Sequence, residues 1–267
     1  MSMKNSSQWH SALAIYKRLG IRYISKTSTE NMPISSVLSE TVSVESVEPP
    51  MMENKAVESP VSHQGFKSSW ITASADTIQA MELTAFERDI CRCQKCPLGA
   101  TRKNFVFGSG NPQAKVLFIG EAPGADEDEQ GLPFVGRAGQ LLTKIIESTQ
   151  TWKRSDVFIC NVLKCRPPGN RTPLPEEVEQ CRPYLEEQIQ IIKPRLIMAL
   201  GAVAAQALLR SKDSVGKMRN RWHDHNGIPL RVTYHPAALL RFDGYKKDVW
   251  QDMKELTAKY QELEGLS

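Results

Sequence analysis

The segment that decides the fold is Lys115-Val-Leu-Phe-Ile-Gly-Glu-Ala-Pro-Gly124, in which an uninterrupted apolar run opens into a glycine-rich turn. Continuous rather than alternating hydrophobicity predicts a strand covered on both faces, as in a parallel sheet. Three more runs of this kind occupy residues 157–161, 196–201 and 230–235. Helical patterns follow or separate them at residues 138–149, 176–192, 202–209 and 245–263. The alternation predicts an α/β fold, namely a three-layer α/β/α sandwich with a central, mostly parallel four-stranded sheet.

Polar residues and glycines concentrate where these predicted strands end. Glu121 follows the first strand, Asn161 ends the second, Gly201 follows the third and His235 follows the fourth. In an open α/β sheet the ligand binds in the crevice outside the carboxyl ends of the strands. The sequence therefore predicts one site that collects residues from distant parts of the chain.

Four of the six cysteines have the spacing of a metal or cluster site. Cys93 and Cys96 form a CxxC motif, and Cys165 and Cys181 follow with fifteen residues between them. Without a secretory signal, this spacing favours metal or cluster ligation over disulfides. Four thiolates bind either a tetrahedral zinc ion or a four-iron four-sulfur cluster, and the spacing does not choose between them.

The other two cysteines have less specific surroundings. Cys160 lies inside a predicted strand and is interpreted as a core residue. Cys91 lies two residues before Cys93 and is kept as a competing ligand.

Composition and charge narrow the class of protein. The chain has 267 residues and a formal net charge of +4, which divides into −1 for residues 1–83 and +5 for residues 84–267. A mildly basic domain is compatible with nucleic acid binding. No apolar run approaches the roughly 18 to 20 residues of a membrane span, and no secretory leader is recognised, so no membrane association and a cytoplasmic location are expected.

The N-terminal part of the chain has a different texture. Residues 9–23 have apolar positions at helical spacing, and residues 24–70 are rich in Ser, Glu, Val and Pro without periodicity. We therefore expect a largely disordered extension over residues 1–80, formed by a short amphipathic helix and a low-complexity linker, before a domain over residues 81–267. The helix either docks on a partner protein or folds back on its own domain.

Several motifs together resemble the family 4 uracil-DNA glycosylases, the iron-sulfur branch of their superfamily. They are GEAPGADED at 120–128, PFVGRAGQLL at 133–142, Asn161 with KCRPPGNR at 164–171, the four spaced cysteines, and HPAALLR at 235–241. The resemblance covers roughly residues 84–260. It implies a monomeric enzyme that removes uracil from double- or single-stranded DNA and leaves an abasic site. It also implies one four-iron four-sulfur cluster on Cys93, Cys96, Cys165 and Cys181, with zinc as the less favoured alternative.

The resemblance assigns roles to five residues of this chain. Phe134 matches the aromatic that stacks on the flipped uracil, and Asn161 matches the amide that reads the edge of the base. His235 matches the histidine at uracil O2, either as a neutral donor or as a cation. Glu121 matches the carboxylate that positions water and steadies the sugar cation. Glu127 falls where the family excludes the methyl group of thymine.

DNA contacts are expected on two loops. Leu239 and Leu240 are candidates for an apolar wedge in the minor groove, with Arg241 on phosphate, although at least one leucine is expected to face the core. Lys164, Arg166 and Arg171, around Cys165, are expected to face the DNA backbone.

Two alternatives from other classes stay open. One is a DNA-binding or polymerase-associated module that keeps the fold and the cluster without activity. The other is a redox protein with zinc or a cluster, which the basic residues around Cys165 disfavour.

Overall fold

The structure, a computed structural model, describes residues 74–266. These residues all lie within one compact unit. The helix predicted at residues 9–23 and the linker predicted at residues 24–70 lie outside the described residues. The division of the chain after residue 80 stays a prediction, and within the described part a helix already begins at Ala75.

The core of the fold is a mixed sheet with the strand order β1-β3-β2-β4-β6-β5. The strands are β1 (Ser109–Gly110), β2 (Val116–Gly120), β3 (Phe158–Asn161), β4 (Leu196–Leu200), β5 (Trp222–His225) and β6 (Ile228–Thr233). The four strands β3, β2, β4 and β6 are mutually parallel, as predicted. The predicted number of four strands was too low, because β1 and β5 add an antiparallel strand at each edge. Both lack an apolar run: β1 has two residues, and β5 reads Trp-His-Asp-His.

Helices cover both faces of this sheet. The longer ones are α1 (Ala75–Ile90), α4 (Arg137–Ser148), α5 (Pro175–Ile192), α6 (Ala202–Leu209) and α9 (Tyr245–Glu264). The short ones are α2 (Leu98–Thr101), α3 (Ala125–Gln130), α7 (Val215–Met218) and α8 (Pro236–Leu239). The four helices predicted from periodicity are confirmed with shifts of one residue at their ends, whereas α1 was not predicted. No helix within residues 74–266 has the length and apolar character required to cross a membrane.

Alternate residues of the central strands point to two separate cores, which confirms the three layers. Leu117 and Ile119 of β2 pack with α1, α5 and α6 on one face. Val116 and Phe118 of the same strand pack with α4 and α9 on the other face. Because both sets are fully buried, a strand in this sheet has no polar side, which explains its uninterrupted apolar sequence.

A buried charge network attaches α9 to the strand that leads into His235. The Asp252 carboxylate accepts hydrogen bonds from Arg219 Nε at 2.8 Å, Arg231 Nη2 at 3.2 Å and Thr233 Oγ1 at 2.7 Å. Asp252 and Arg231 are almost completely buried. Removing one partner of such a network leaves an uncompensated buried charge, so the end of β6 is held firmly against the helix.

Candidate active site

The main cleft lies at the carboxyl ends of the parallel strands, where the chain crosses from β3 on one side of β2 to β4 on the other. Its volume is about 560 Å³, which is in the range of small-molecule sites. All five residues assigned to the base line this one cleft: Glu121, Glu127, Phe134, Asn161 and His235. The structure therefore brings together residues that are up to 114 positions apart in the sequence.

Gly120 allows two of these residues to approach each other. A Cβ atom placed on Gly120 would lie 2.4 Å from Cζ of Phe134 and 2.5 Å from Oδ1 of Asn161. Both distances are well below a van der Waals contact. The last residue of β2 must therefore lack a side chain for the ring and the amide to meet at the floor of the cleft.

The Phe134 ring is held by an unusual backbone conformation. Phe134 has a left-handed φ of 54°, which is uncommon for a residue with a bulky side chain. The start of α4 lies directly against it, since a Cβ on Gly139 would come within 1.9 Å of the Phe134 carbonyl oxygen. The ring is buried, and its centroid lies 5.6 Å from that of His235 with a tilt of 36°. The aromatic wall of the cleft is thus fixed before any ligand enters.

Asn161 presents an unpaired acceptor to the cleft. The residue is 1% exposed, and among the described residues its Oδ1 has no hydrogen-bond partner. Leaving a buried acceptor unpaired costs about 1–3 kcal/mol. An orphaned polar atom that faces a cleft indicates a ligand that supplies the missing donor.

The hydrogen bonding of His235 defines its tautomer. The backbone N–H of Ala237 lies 3.2 Å from Nδ1 of His235, so Nδ1 is the acceptor and Nε2 carries the proton of the neutral ring. Burial, with a smaller contribution from the positive charge of Arg241, lowers the pKa of His235 to about 4. At neutral pH the cleft therefore contains an uncharged imidazole that donates through Nε2.

The two glutamates of the cleft differ in their surroundings. Burial raises the pKa of Glu121, whose carboxylate has no hydrogen-bond partner among the described residues. The Glu127 carboxylate instead accepts three backbone hydrogen bonds. Its Oε1 binds the N–H groups of Val135 (2.9 Å) and Gly136 (3.0 Å), and its Oε2 binds that of Gly124 (3.0 Å). Glu127 thus joins the loop after β2 to the loop that carries Phe134.

The structure also brings the four predicted cysteine ligands together. Cys93, Cys96, Cys165 and Cys181 line one small cavity between α2, the loop after β3 and α5. Cys91 does not line this cavity, and its thiol donates to the Arg88 carbonyl oxygen. Cys160 is fully buried inside β3, as predicted for a core residue.

The donors around this cavity suit sulfur ligands that carry negative charge. Arg102 Nη1 lies 3.4 Å from the sulfur of Cys165, and the Tyr184 hydroxyl lies 3.3 Å from that of Cys93. Burial raises the pKa of Cys165 to about 11, and Arg102 acts in the opposite direction. Within residues 74–266, no three Cys, His, Asp or Glu side chains are already arranged around a single metal ion. Four thiols around one cavity are nevertheless the donor set that a cluster or a zinc ion requires.

The residues predicted to form the DNA wedge differ in their exposure. Leu239 is 2% exposed and packs in the core below the cleft, so a DNA contact does not fit its position. Leu240 is 44% exposed, and Arg241 is exposed at the wall of the cleft. The expectation that at least one leucine faces the core is confirmed, because Leu239 occupies the inward side of α8.

The cations around Cys165 are placed differently from one another. Lys164 was expected to face DNA, and this is wrong because its side chain is completely buried. Arg171 lines the cleft, but its guanidinium forms a bidentate ion pair with Glu177 at 2.9 and 2.6 Å. Arg166 is partly exposed and donates from Nε to Oδ1 of Asn170 at 2.7 Å. Its predicted DNA contact fits this position and stays a prediction.

Two further residues of the cleft were not singled out from the sequence. Asn170 lies on the loop after Cys165, and Phe242 is 59% exposed at the rim. The Phe242 ring contacts Tyr245, which stacks on Tyr234 with a centroid distance of 4.0 Å. The sequence signal for Phe242 was an aromatic residue directly after Arg241, a predicted DNA contact.

Comparisons with known proteins agree with this geometry. The family model described as the Uracil DNA glycosylase superfamily matches residues 107–254. The type-4 uracil-DNA glycosylase of Pyrobaculum aerophilum is 46% identical over 181 residues, which cover 65% of this chain and 92% of that protein. The corresponding protein of Thermotoga maritima is 47% identical over 152 residues, which cover 56% of this chain and 79% of that protein. This chain therefore belongs to the uracil-DNA glycosylase superfamily and, within it, to the type-4 branch.

The three hydrogen bonds to Glu127 generate a prediction about the loops. In Glu127→Ala the N–H groups of Gly124, Val135 and Gly136 lose their acceptor, so we expect hydrogen exchange at these amides to accelerate by at least about fivefold. Exchange measured by NMR checks this. Glu129→Ala, at an exposed neighbour on the same helix, is the control and should leave the three amides unchanged. Unchanged exchange in Glu127→Ala would show that the carboxylate does not hold the loops together.

Proposed function

We propose that this protein is a uracil-DNA glycosylase that acts in base excision repair. It hydrolyses the bond between uracil and deoxyribose and leaves an abasic site in DNA. The observation that carries the proposal is the unpaired Oδ1 of Asn161 at the floor of a cleft walled by Phe134 and His235. Because Glu121, Asn161 and His235 occur together in this cleft, an inactive module of the same fold is not favoured.

Asn161 supplies the base selectivity in this proposal. The orphaned Oδ1 accepts the N3–H of uracil, and the amide nitrogen donates to O4. Cytosine has an acceptor at N3 and an amine at C4, so both contacts would be reversed. Since Asn161 is buried at the end of β3, the rejected base cannot be accommodated through water.

Phe134 and His235 act on the flipped base from its face and its edge. Stacking on an aromatic side chain is worth about 1–3 kcal/mol per base, which offsets part of the cost of leaving the helix. The Nε2–H group of His235 is assigned to O2 of uracil, where negative charge grows as the glycosidic bond breaks. A neutral donor stabilises that charge without adding a buried cation to the resting cleft.

The two glutamates have separate roles. Glu121 positions the attacking water and stabilises the sugar cation, as carboxylates do in glycoside hydrolysis. Glu127 is placed at the C5 edge of the base, where its bulk excludes the methyl group of thymine. Its three backbone hydrogen bonds support this role, because a fixed carboxylate cannot move aside for the methyl group.

The four-cysteine cavity is assigned to a four-iron four-sulfur cluster held by Cys93, Cys96, Cys165 and Cys181. Such a cluster supplies a covalent link between the helix α2 region, the loop after β3 and α5. The polar donors of Arg102 and Tyr184 that point at its sulfur ligands support the assignment. Zinc is the less favoured occupant, and absorbance near 400 nm of the purified protein distinguishes the two.

DNA is assigned to the rim of the cleft. Leu240 fills the space of the extruded base, Arg241 and Arg166 contact phosphate, and the exposed ring of Phe242 adds a stacking surface beside them. The exposure of Leu240 and Phe242 supports this placement. Large apolar side chains exposed beside basic residues are typical of an interaction site.

The proposal is tested with a labelled duplex that contains one U·G pair, incubated with excess enzyme and then treated with alkali. Wild type should cleave the strand at the uracil. In Asn161→Asp the lost donor should slow uracil excision by at least about tenfold and shift the selectivity toward cytosine. No strand scission by wild type would overturn the proposed activity, whereas unchanged selectivity in the variant would overturn only the role of Asn161.

The half-buried carboxylate of Glu121 predicts a pH dependence. Its pKa is raised above the ordinary value of 4.5, and only the ionised form assists the reaction. The excision rate should therefore fall as pH is lowered through that raised pKa, while His235 becomes charged only near its own pKa of about 4. Single-turnover rates between about pH 5 and 8 check this. Glu121→Gln should be slow without this acidic limb, and an identical limb in the variant would assign the titration to another group.

A further inference from the structure

Lys164 is a buried cation with neutral partners. Its side chain has no exposed surface, and its Nζ donates to the Asn161 carbonyl oxygen at 2.8 Å and to Oε1 of Gln188. Among the described residues, no carboxylate forms an ion pair with it. A buried ammonium without a negative partner is costly, so its position calls for an anionic group that the hydrogen bonds do not provide.

The charge of Lys164 acts on two buried thiols, that of Cys181, which lines the cysteine cavity, and that of Cys160 inside β3. Lys164 directly precedes Cys165, the cysteine that follows β3 and lines this cavity. Its neighbour Gln188 stands on α5 two turns after Cys181, and Gln188 Nε2 donates to the Phe107 carbonyl oxygen at 3.0 Å. The ammonium is therefore enclosed between the end of β3 and the helix that carries a predicted cluster ligand.

The same ammonium reaches the base-reading residue. The bond from Nζ to the main-chain oxygen of Asn161 closes the four-residue turn from Asn161 to Lys164. Asn161 is buried and lines the cleft, and its side-chain acceptor has no partner among the described residues. The direction of that side chain depends on the main chain that Lys164 holds.

We infer that Lys164 couples the two sites: its charge offsets the negative charge of a cysteine-ligated cluster, and its hydrogen bond positions Asn161 for uracil. This inference rests on the proposed function. Lys164 is a positioning residue, because it acts on the base only through Asn161. Loss of the cluster therefore weakens base recognition, although every residue of the cleft is still present.

The test compares Lys164→Met, which keeps the length of the side chain and removes its charge, with wild type. A positive charge near a cluster favours its reduced, more negative form, so the reduction potential of Lys164→Met should shift to more negative values. The loss of absorbance near 400 nm in chelator should also be faster. The single-turnover rate of uracil excision at saturating enzyme should fall by at least about tenfold, the usual cost of a lost hydrogen bond from a charged donor.

Two further variants separate charge from positioning. Lys95→Met removes an exposed cation between Cys93 and Cys96 that stacks on Tyr184, and it should leave excision unchanged with a smaller shift in potential. Gln188→Glu places a carboxylate against Lys164 while Nζ can still bind Asn161, so the potential should shift with little loss of excision. It also keeps the charge test available where Lys164→Met does not fold.

The outcomes divide as follows. A shifted potential with wild-type excision in Lys164→Met would remove the link to Asn161. Slower excision in Lys164→Met would overturn the charge compensation if the reduction potential and the cluster retention stay unchanged in both Lys164→Met and Gln188→Glu. Either result overturns the coupling, while wild-type excision in the same assay reports separately on the proposed function.

Discussion

The close contact at Gly120 sets the geometry on which the rest of the cleft depends. The ring of Phe134 and the amide of Asn161 occupy the volume that any side chain at this position would fill, with distances of 2.4 and 2.5 Å from a Cβ atom. The parallel sheet creates this opportunity, because β2 and β3 end side by side and Gly120 pairs with Asn161 in register. Gly139 and the left-handed backbone of Phe134 then keep the ring at that place.

The polar groups of the cleft are divided between those that hold the loops and those that have no internal partner. Glu127 and Arg171 are largely occupied by internal partners, so they provide shape rather than a free charge. Asn161 and the neutral His235 keep a free acceptor and a free donor among the residues that line the cleft. In the proposed function, these two uncharged groups select a neutral base by its hydrogen-bond pattern and stabilise charge only as the glycosidic bond breaks.

Much of this architecture could be predicted from residues whose local pattern carries the signal. The four parallel strands have uninterrupted apolar runs, and the polar residues after them meet in one cleft because parallel strands end at the same edge. The edge strand β5 could not be predicted, since Trp222-His-Asp-His225 has no apolar run and only His225 is buried. Leu239 is buried and the adjacent Leu240 is exposed because of the orientation of α8 against the core. Two consecutive leucines in the sequence do not indicate which of them faces inward. Lys164 was expected to face DNA together with the other cations around Cys165, and only the tertiary structure shows its internal acceptors. Lysine is rarely buried, so its sequence position carries no signal for this. The role of the N-terminal residues, a monomeric state and a partner for the predicted helix stay predictions from the sequence.

The central claim is that the buried amide of Asn161 recognises uracil in the cleft walled by Phe134 and His235. The most direct measurement is a titration of the ¹⁵N-labelled protein with free uracil, followed through the side-chain amide signal of Asn161, which is assigned by its loss in Asn161→Ala. This signal should shift with uracil but not with cytosine or thymine at equal concentration. A signal that stays unchanged at saturating uracil, or that shifts equally with cytosine, would contradict it.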